Sequence, residues 1–283
     1  MINTIVNKQN SLKKQIKVFF GIGIVFGVLL MSCLSAPGGQ EKLVEIKGKS
    51  LWISLLGKGS PAVIFESGIG DGGSFGFWNT VQKAVSKKTQ TVVYDRSGIG
   101  PAGPVSTPPD TEQVAAELHA LLDTEGINPP YILVGHSMGG LHVQVFAQTW
   151  PDEVAGIVLV DPSPKQLLAP LGPEKLSMLK NAGVPEGSIA ELTLGLNSSL
   201  KRFASAEPVP SIPLTVISSS YTKDPTGEVT FEKYQQLLAY HQQLADSVKN
   251  GKHIVASKSG HYIQIDQPKL VIKAVLDMLE QVK

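Results

Sequence analysis

Short apolar runs of strand length recur along the chain from residue 42 onward. The first two, at residues 42–46 and 51–55, predict an opening β-hairpin. The later runs are apolar almost throughout, which indicates strands that are covered on both faces, as in a parallel sheet. They begin at Ala62, Thr91, Tyr131, Gly156, Leu214 and His253.

Helical patterns of apolar and polar residues lie between these runs. Their ranges are 76–87, 111–124, 138–150, 230–249 and 268–282. Strands that alternate with helices predict an α/β protein with an open, doubly wound sheet. Loops rich in glycine and proline follow two of the strands, at residues 68–76 and 97–109, and sheets of this kind bind ligands at that C-terminal edge.

One connection is far longer than the others. Roughly fifty residues separate the strand that ends at Val160 from the run that starts at Leu214, whereas most connections have about four to six. Helical stretches near residues 173–182 and 187–204 lie within it. The sequence therefore predicts a small helical cap over the site at about residues 164–210, and its many leucines argue against a disordered excursion.

The first 33 residues differ from the rest of the chain. They carry four lysines and no acidic residue, whereas the whole chain has a formal charge of only +1. The lysines precede an uncharged apolar run from Val18 to Met31, which is shorter than the roughly 20 residues of a spanning helix and suits an export signal. The segment ends in Leu30-Met-Ser-Cys33, and Cys33 is the only cysteine of the chain.

This ending resembles the lipobox of bacterial lipoproteins, in which the cysteine is lipidated and becomes the new N-terminus. The resemblance implies a signal peptide over residues 1–33 and a flexible tether over residues 34–41, so that the folded domain would span residues 42–283. It also implies an exported protein that a lipid on Cys33 holds to a membrane, on the extracytoplasmic side of a bacterial envelope. An uncleaved N-terminal anchor with an incidental cysteine is the alternative.

Composition and charge exclude several other classes of protein. A formal charge of +1 gives no basis for nucleic-acid binding. A single cysteine excludes a disulfide framework. No two histidines stand at ligand spacing on one element, so no metal site is expected, and nothing indicates an obligate protein partner.

A Gly-x-Ser-x-Gly motif, Gly135-His-Ser137-Met-Gly139, joins the Tyr131 run to the helical pattern that follows. In this setting of strand, turn and helix the motif predicts a nucleophilic serine on a sharp turn, with minimal side chains on both sides. Ser137 would lie near a helix N-terminus, whose dipole favours a negatively charged transition state.

A serine hydroxyl needs a base to take its proton, and six histidines compete for that role. His261 follows the last strand and precedes the last helix, so we expect it at the sheet edge where Ser137 lies. His136 neighbours the serine, but its side chain should point away across the turn. The remaining histidines lie in helices or open a strand, and they are His119, His142, His241 and His253.

The third member of a triad orients the imidazole and stabilises its charged form. Asp161 directly follows the strand that ends at Val160, whereas Asp224 lies in the loop after the next strand, six residues beyond Ser218. The later loop is the more usual location. An acid at a strand end is better preorganised than one on a loose loop, so we favour Asp161 and keep Asp224 as the alternative.

Negative charge that develops on a substrate carbonyl oxygen needs fixed hydrogen-bond donors. The backbone N–H of Met138, directly after the serine, is one candidate. The other is expected from the loop after the third strand, at residues 66–73, where position favours the N–H of Ile69. The glycines of this loop could equally make it only a flexible connection.

Further motifs accompany the serine turn. They are Phe65-Glu-Ser-Gly with Trp78 beyond, Tyr94-Asp-Arg-Ser-Gly-Ile-Gly, Pro151-Asp-Glu-Val-Ala-Gly and Gly260-His-Tyr-Ile-Gln. Together they resemble the α/β-hydrolase fold family of the abhydrolase type over about residues 50–282. The resemblance implies a mostly parallel eight-stranded sheet, the triad above, no cofactor, and structural roles for Asp95 and Arg96. The chain departs from the commonest pattern at Ser67-Gly68, where His-Gly is frequent, and lacks an obvious aspartate soon after Ser218.

A serine nucleophile argues against epoxide hydrolases and haloalkane dehalogenases that resemble this architecture, because they use aspartate. The expected reaction is hydrolysis of small to medium carboxylic esters through an acyl-enzyme. Hydrolysis of insoluble lipids, thioesters or lactones and amide hydrolysis of the prolyl aminopeptidase type stay open. For the latter, Glu186 and Glu191 could hold a substrate ammonium, although they would more often be solvated helix charges. A binding protein on a hydrolase scaffold is the non-enzymatic alternative.

Overall fold

The computed structural model describes residues 39–164, 173–181, 186–195, 212–220 and 231–283. Within these ranges the chain forms eight strands and eight α-helices. The strands are β1 (Gln40–Ile46), β2 (Lys49–Leu56), β3 (Ala62–Glu66), β4 (Thr91–Asp95), β5 (Tyr131–His136), β6 (Val154–Val160), β7 (Leu214–Ser218) and β8 (Lys252–Val255). The helices are α1 (Asn79–Val85), α2 (Thr111–Thr124), α3 (Gly139–Thr149), α4 (Pro173–Asn181), α5 (Glu186–Ala190), α6 (Phe231–Asp246), α7 (Ile263–Asp266) and α8 (Pro268–Gln281).

All eight strands belong to one sheet, in the order β1-β2-β4-β3-β5-β6-β7-β8. β1 pairs with β2 and β2 with β4 in antiparallel fashion, whereas the other five pairs are parallel. The predicted hairpin and the predicted mostly parallel sheet are both confirmed. Because β3 to β8 run in one direction, the loops that follow them meet at one edge of the sheet.

The apolar core consists of two layers, one on each face of the sheet, because successive side chains of a strand point to opposite faces. Leu133 and Leu159 pack with residues of α2, α3 and α6. Val134 and Val158, their neighbours along the chain, pack with residues of α1 and α8. Helices on both faces explain why these strands are apolar throughout, and they confirm the doubly wound α/β arrangement.

Two helices begin at residues that suit a helix N-terminus. The side chain of Asp110 accepts a hydrogen bond from the N–H of Gln113 at 2.9 Å. The side-chain oxygen of Gln113 in turn accepts a hydrogen bond from the N–H of Asp110 at 3.0 Å. This reciprocal capping box fixes the start of α2 at Thr111. Pro268 occupies the first turn of α8, where its missing N–H costs nothing.

The predicted cap is described only in part. α4 and α5 lie within the helical stretches expected near residues 173–182 and 187–204, and a π-helical turn, Glu191–Gly195, continues α5. The short helix α7 was not predicted, because four residues are too few to show a helical period. β1 begins at Gln40, so the last two residues of the predicted tether belong to a strand.

Cys33 and the predicted signal peptide lie outside the described residues. In the ranges that the structure covers, no helix is both long enough and apolar enough to cross a membrane.

Candidate active site

The turn that carries Ser137 links β5 to α3. β5 ends at His136, Ser137 has a positive φ of 55°, and α3 begins at Gly139. A positive φ is strained for a residue with a side chain, so the surrounding structure must hold it. The N–H of Ser137 donates to the carbonyl of Val160 at 3.1 Å, and the N–H of Gly140 donates to the Ser137 carbonyl at 3.0 Å. The serine is thus fixed on both sides of the turn.

Three glycines around the serine stand where a side chain would collide. A Cβ on Gly135 would lie 2.6 Å from the carbonyl oxygen of Gly139, and one on Gly139 would lie 2.5 Å from the carbonyl oxygen of Ser67. A Cβ on Gly140 would lie 2.9 Å from Cβ of Pro162. The first two contacts are with backbone, which cannot rotate aside, so this turn requires glycine.

His261 follows β8 and reaches the serine. Its Nε2 lies 2.9 Å from Oγ of Ser137, and its Nδ1 lies 2.7 Å from Oδ2 of Asp161. With the Nδ1–H donating to the carboxylate, Nε2 is bare and accepts the hydrogen bond of the Ser137 hydroxyl. The structure therefore brings together the three residues that the sequence singled out, in the connectivity that base-assisted attack by a serine requires.

Asp161 is buried at the end of β6, with a positive φ of 46°. Its Oδ1 accepts a hydrogen bond from the N–H of Ser219 at 2.7 Å, while Oδ2 faces His261. The N–H of Asp161 donates to the carbonyl of Ile217 at 2.7 Å, so β7 fixes its backbone and the residue directly after β7 fixes its side chain. Asp224, the alternative acid, lies outside the described residues.

The pKa values of this pair shift in opposite directions. Burial acts to raise the pKa of Asp161, but the hydrogen bond and the charge of His261 bring it below its usual value. Desolvation of the imidazole nitrogens, which face Ser137 and Asp161, acts to lower the pKa of His261, but the hydrogen bond and the charge of Asp161, together with the charge of Asp71, raise it above its usual value. The imidazole is therefore a stronger base than an isolated histidine.

The loop after β3 lies directly against the serine. A Cβ on Gly68 would lie 3.2 Å from Cβ of Ser137. Ile69 is the next residue of this loop, and its side chain packs in a small apolar cluster with Met138. Met138, which follows Ser137 in the chain, and Ile69, the two residues predicted to donate their N–H groups to an oxyanion, thus lie close together beside the serine. Their role as donors stays a prediction.

Arg96 holds this loop from behind. Its guanidinium donates to the backbone carbonyls of Ser67 at 3.0 Å, Gly68 at 2.7 Å and Asp71 at 3.2 Å. The side chain is fully buried, so these bonds are not exchanged with water. This arrangement agrees with the bracing role that the family resemblance implies for Arg96.

A buried carboxylate balances the charge of Arg96 at the end of β3. Glu66 accepts hydrogen bonds from Arg96 and from the hydroxyl of Tyr94. Burial acts to raise the pKa of Glu66, but the charge of Arg96 brings it below its usual value. Asp95 has a bracing contact of its own, because its Oδ1 accepts a hydrogen bond from the N–H of Ser74 at 3.0 Å.

The two glutamates of the cap occupy different environments. Glu186 is exposed, whereas Glu191 is only 5% exposed. The carboxylate of Glu191 binds Arg96, with Oε1 2.6 Å from Nε and Oε2 2.9 Å from a terminal nitrogen. Both expectations for Glu191 are therefore wrong: it is not a solvated helix charge, and it is not free to hold a substrate ammonium.

His136 supports the loop that carries His261. Its Nε2–H donates to the backbone carbonyl of His261 at 3.0 Å, and its ring packs on Tyr262 with centroids 5.0 Å apart. Burial, and then the charge of His261, lower the pKa of His136 to about 3, so it stays neutral. From the sequence we expected this side chain to point away across the turn, and that expectation did not include its contact with the loop that carries His261.

Two further histidines lie behind Asp161. Oγ of Ser218 lies 2.6 Å from Nδ1 of His241 and 2.6 Å from Nε2 of His253. The Nε2–H of His241 donates to the carbonyl of Pro162 at 2.8 Å. These contacts fix the residues next to Asp161. His119 and His142 lie elsewhere on helices, His119 stacked on a tryptophan and His142 buried in the interior.

Ser163 was missed at the sequence level. Its hydroxyl oxygen lies 3.1 Å from Oγ of Ser137, and its N–H donates to the Ser137 carbonyl at 3.1 Å. The available signal was the segment Asp161-Pro-Ser-Pro, which places a hydroxyl two residues after an acid at a strand end.

Among the residues that the structure describes, no group of three or more histidine, cysteine or acidic side chains could hold a metal ion.

Comparisons with known proteins agree with this architecture. A family model described as alpha/beta hydrolase fold matches residues 61–182. An uncharacterized protein of Bacillus subtilis, YqjL, is 27% identical over 226 residues, which cover 78% of this chain and 85% of that protein. A putative carbamate hydrolase of Klebsiella pneumoniae, RutD, is 36% identical over 104 residues, or 36% of this chain and 38% of that protein.

Solved structures show the same fold at low sequence identity. A thermophilic esterase from Thermogutta terrifontis superposes with a TM-score of 0.64 at 20% identity, covering 86% of this chain and 99% of the esterase chain. Together with the eight-stranded sheet and its strand order, these matches show that the chain has the α/β-hydrolase fold.

Proposed function

We propose that the protein is a serine hydrolase that cleaves carboxylic esters of small to medium size through an acyl-enzyme on Ser137. One observation carries the proposal, the hydrogen-bonded line from Ser137 through His261 to Asp161, with contacts of 2.9 and 2.7 Å. A hydroxyl with a base on its proton and a carboxylate behind the base is the arrangement that makes serine a nucleophile.

In the acylation step, Oγ of Ser137 attacks the ester carbonyl carbon while Nε2 of His261 takes the hydroxyl proton. Asp161 stabilises the imidazolium that forms. The carbonyl oxygen becomes an oxyanion, which the N–H groups of Met138 and Ile69 would stabilise. The C–O bond then breaks, and His261 returns the proton to the departing alcohol. Water repeats the sequence on the acyl-enzyme and releases the acid.

Carbonyl substrates fit this arrangement better than epoxides or alkyl halides, for which a carboxylate nucleophile is expected. Two similar proteins are an esterase and a putative carbamate hydrolase, and both esters and carbamates are hydrolysed at a carbonyl carbon. Amide cleavage at an N-terminal proline is less favoured, because the carboxylate of Glu191 is bound to Arg96. Glu186 is exposed on the surface of the cap.

The direct test combines a fluorophosphonate probe with a panel of p-nitrophenyl esters. We expect labelling and turnover by the wild-type protein and neither by Ser137→Ala. Ser163→Ala is the matched control, because it removes a second hydroxyl 3.1 Å away and leaves Ser137 in place. Equal labelling of Ser137→Ala would contradict the proposal, and labelling without ester turnover would redirect it to amides or thioesters.

We also propose that the enzyme is exported and anchored by a lipid on Cys33. The order of lysines, apolar run and sole cysteine supports this. The test is metabolic labelling of the full chain with an alkynyl fatty acid in a bacterial host. We expect the label in the membrane fraction, and none on Cys33→Ser. Equal labelling of the two proteins would contradict the anchor.

A further inference from the structure

We propose that Glu191 of the cap is a positioning residue for the oxyanion loop, residues 68–71, so that the cap completes the active site. This inference rests on the proposed function, because it concerns the donor that the loop would supply. It assigns to the cap a role in the chemical step, in addition to any role in covering the substrate.

Two side chains of the cap hold one residue of the loop. The N–H of Gly70 donates to Oε2 of Glu191 at 2.6 Å. The hydroxyl of Ser188 donates to the carbonyl of Gly70 at 2.7 Å. Ser188 and Glu191 are three residues apart, so they lie on neighbouring turns and point the same way. Both polar backbone groups of Gly70 are therefore bound by the cap.

These bonds are shielded from water. Ser188 is 2% exposed and Glu191 is 5% exposed, so each hydrogen bond would leave an unsatisfied buried group if it were lost. Glu191 also binds Arg96, which itself holds the carbonyls of Gly68 and Asp71. The oxyanion loop is thus held by Arg96 on one side and by the cap on the other, and Glu191 belongs to both sets of contacts.

Ile69 lies between the residues that are held. The N–H of Ile69 shares a peptide group with the carbonyl of Gly68, to which Arg96 donates. The carbonyl of Ile69 shares a peptide group with the N–H of Gly70, which donates to Glu191. A donor to an oxyanion must lie within a few tenths of an ångström of its productive place to be effective. Fixing both neighbouring peptide groups is a direct way to achieve this.

The cap contacts the body at a second point as well. Gly187 packs so closely on the carbonyl oxygen of Gly98 that a Cβ on Gly187 would overlap it. Gly98 belongs to the loop that follows Arg96. α5 is therefore seated on two loops at the C-terminal edge of the sheet, and the bonds to Gly70 are part of an extended contact.

The test separates positioning from mere stabilisation. We would measure kcat and KM on a p-nitrophenyl ester, and the inhibition constant of an alkylboronic acid, which mimics the tetrahedral intermediate, for Glu191→Gln and Ser188→Ala. Glu186→Gln is the matched control, because it makes the same change at an exposed glutamate of the cap, at the start of α5. Thermal unfolding of each variant reports whether it is folded.

For Glu191→Gln we expect kcat to fall by about 10- to 100-fold and boronic acid affinity to fall with it, while KM stays within about twofold. Ser188→Ala should show the same pattern more weakly, because it removes only the bond to the Gly70 carbonyl. The pH midpoint of activity should not move, because His261 is untouched. Glu186→Gln should match the wild type.

Two results would overturn the inference. One is a Glu191→Gln protein with lower thermal stability but unchanged kcat and boronic acid affinity, which would make the contact purely structural. The other is a rise in KM alone, which would make Glu191 a substrate contact. If Glu191→Gln does not fold, the boronic acid affinity of Ser188→Ala takes its place: a lower affinity supports the inference, and an unchanged affinity overturns it. Failure of the proposed function is separate, because it would appear as retained turnover in Ser137→Ala.

Discussion

Two clusters of acidic and basic side chains lie at the same edge of the sheet, and their basic members differ in exposure and in chemistry. In the first cluster, the side chain of His261 is 46% exposed and that of Asp161 only 3%. In the second, the side chains of Arg96, Glu66 and Glu191 are all at most 6% exposed. Each cluster pairs a buried carboxylate with a basic side chain, but only the basic side chain of the first cluster, His261, is exposed to solvent.

The difference shows how similar groups serve two purposes. The pKa of Arg96 lies well above its usual value, because its carboxylate partners outweigh the cost of burial, so its charge is permanent. His261 can gain and lose a proton near neutral pH, because its unperturbed pKa is about 6.5. We therefore assign catalysis to the pair of His261 and Asp161, and support of the oxyanion loop to the buried network around Arg96. The predictions below test that division.

Removing the base should have the largest effect. We expect His261→Ala to lower kcat by about 10⁴-fold or more, because the other side chain hydrogen-bonded to Ser137 Oγ in the described site, Ser163, is a hydroxyl and cannot act as the base. Steady-state kinetics on a p-nitrophenyl ester measure this. His119→Ala, a helix histidine outside the site, should retain wild-type kcat per folded molecule. A loss of less than about tenfold in His261→Ala would assign the chemistry to another residue.

Replacing the acid should have the next largest effect. We expect Asp161→Asn to lower kcat by about 10⁴-fold at most, because an amide cannot stabilise the imidazolium and favours the wrong tautomer. Asp224→Asn is the comparison, and its kcat should stay within about twofold of the wild type. The opposite pattern, with activity lost only in Asp224→Asn, would make Asp224 the acid.

Breaking the buried network should cost stability. We expect Arg96→Met to lower the free energy of unfolding by about 3–5 kcal/mol, because Glu66 and Glu191 would remain as buried, unpaired charges. Urea denaturation measures this. Lys273→Met breaks an exposed pair with Asp277 and should cost at most about 0.5 kcal/mol. Equal losses in the two variants would contradict the assigned supporting role of Arg96.

Much of the fold was predictable because its signals are local. The apolar runs identified all eight strands of the described ranges, and β3 to β7 gave the clearest signal, since strands covered on both faces leave little room for polar residues. The serine turn was predictable because its glycines are required by contacts within a few residues of Ser137. His261 and Asp161 could be chosen because loops that follow parallel strands converge on one edge.

The contacts between distant loops could not be predicted. Glu191 meets Gly70 across 121 positions of sequence, and His136 meets the carbonyl of His261 across 125. Hydrophobic periodicity reports which face of an element is buried, and it does not report which loop an inserted cap will touch. A glutamate in a short helical stretch was therefore expected to be exposed to solvent, although tertiary packing buries Glu191 against Arg96.

The smallest predicted effect concerns the pH dependence of activity. His261 acts as a base only when neutral, so kcat/KM should fall as pH decreases through its pKa, which lies above the usual value. Asp71 contributes to that shift, and burial raises the pKa of Asp71 itself to about 6. Asp71→Asn should therefore move the acid limb of the profile to lower pH, and by less than Asp161→Asn does. A shift to higher pH would contradict this.

The central claim is that Ser137 becomes acylated, and trapping the acyl-enzyme tests it most directly. Wild-type protein is mixed with a p-nitrophenyl ester, quenched in acid within milliseconds to seconds, digested and analysed by mass spectrometry. We predict the acyl mass on the peptide that contains Ser137, in wild-type protein and not in Ser137→Ala. Acylation of Ser163 or another residue, with Ser137 unmodified during turnover, would contradict the account.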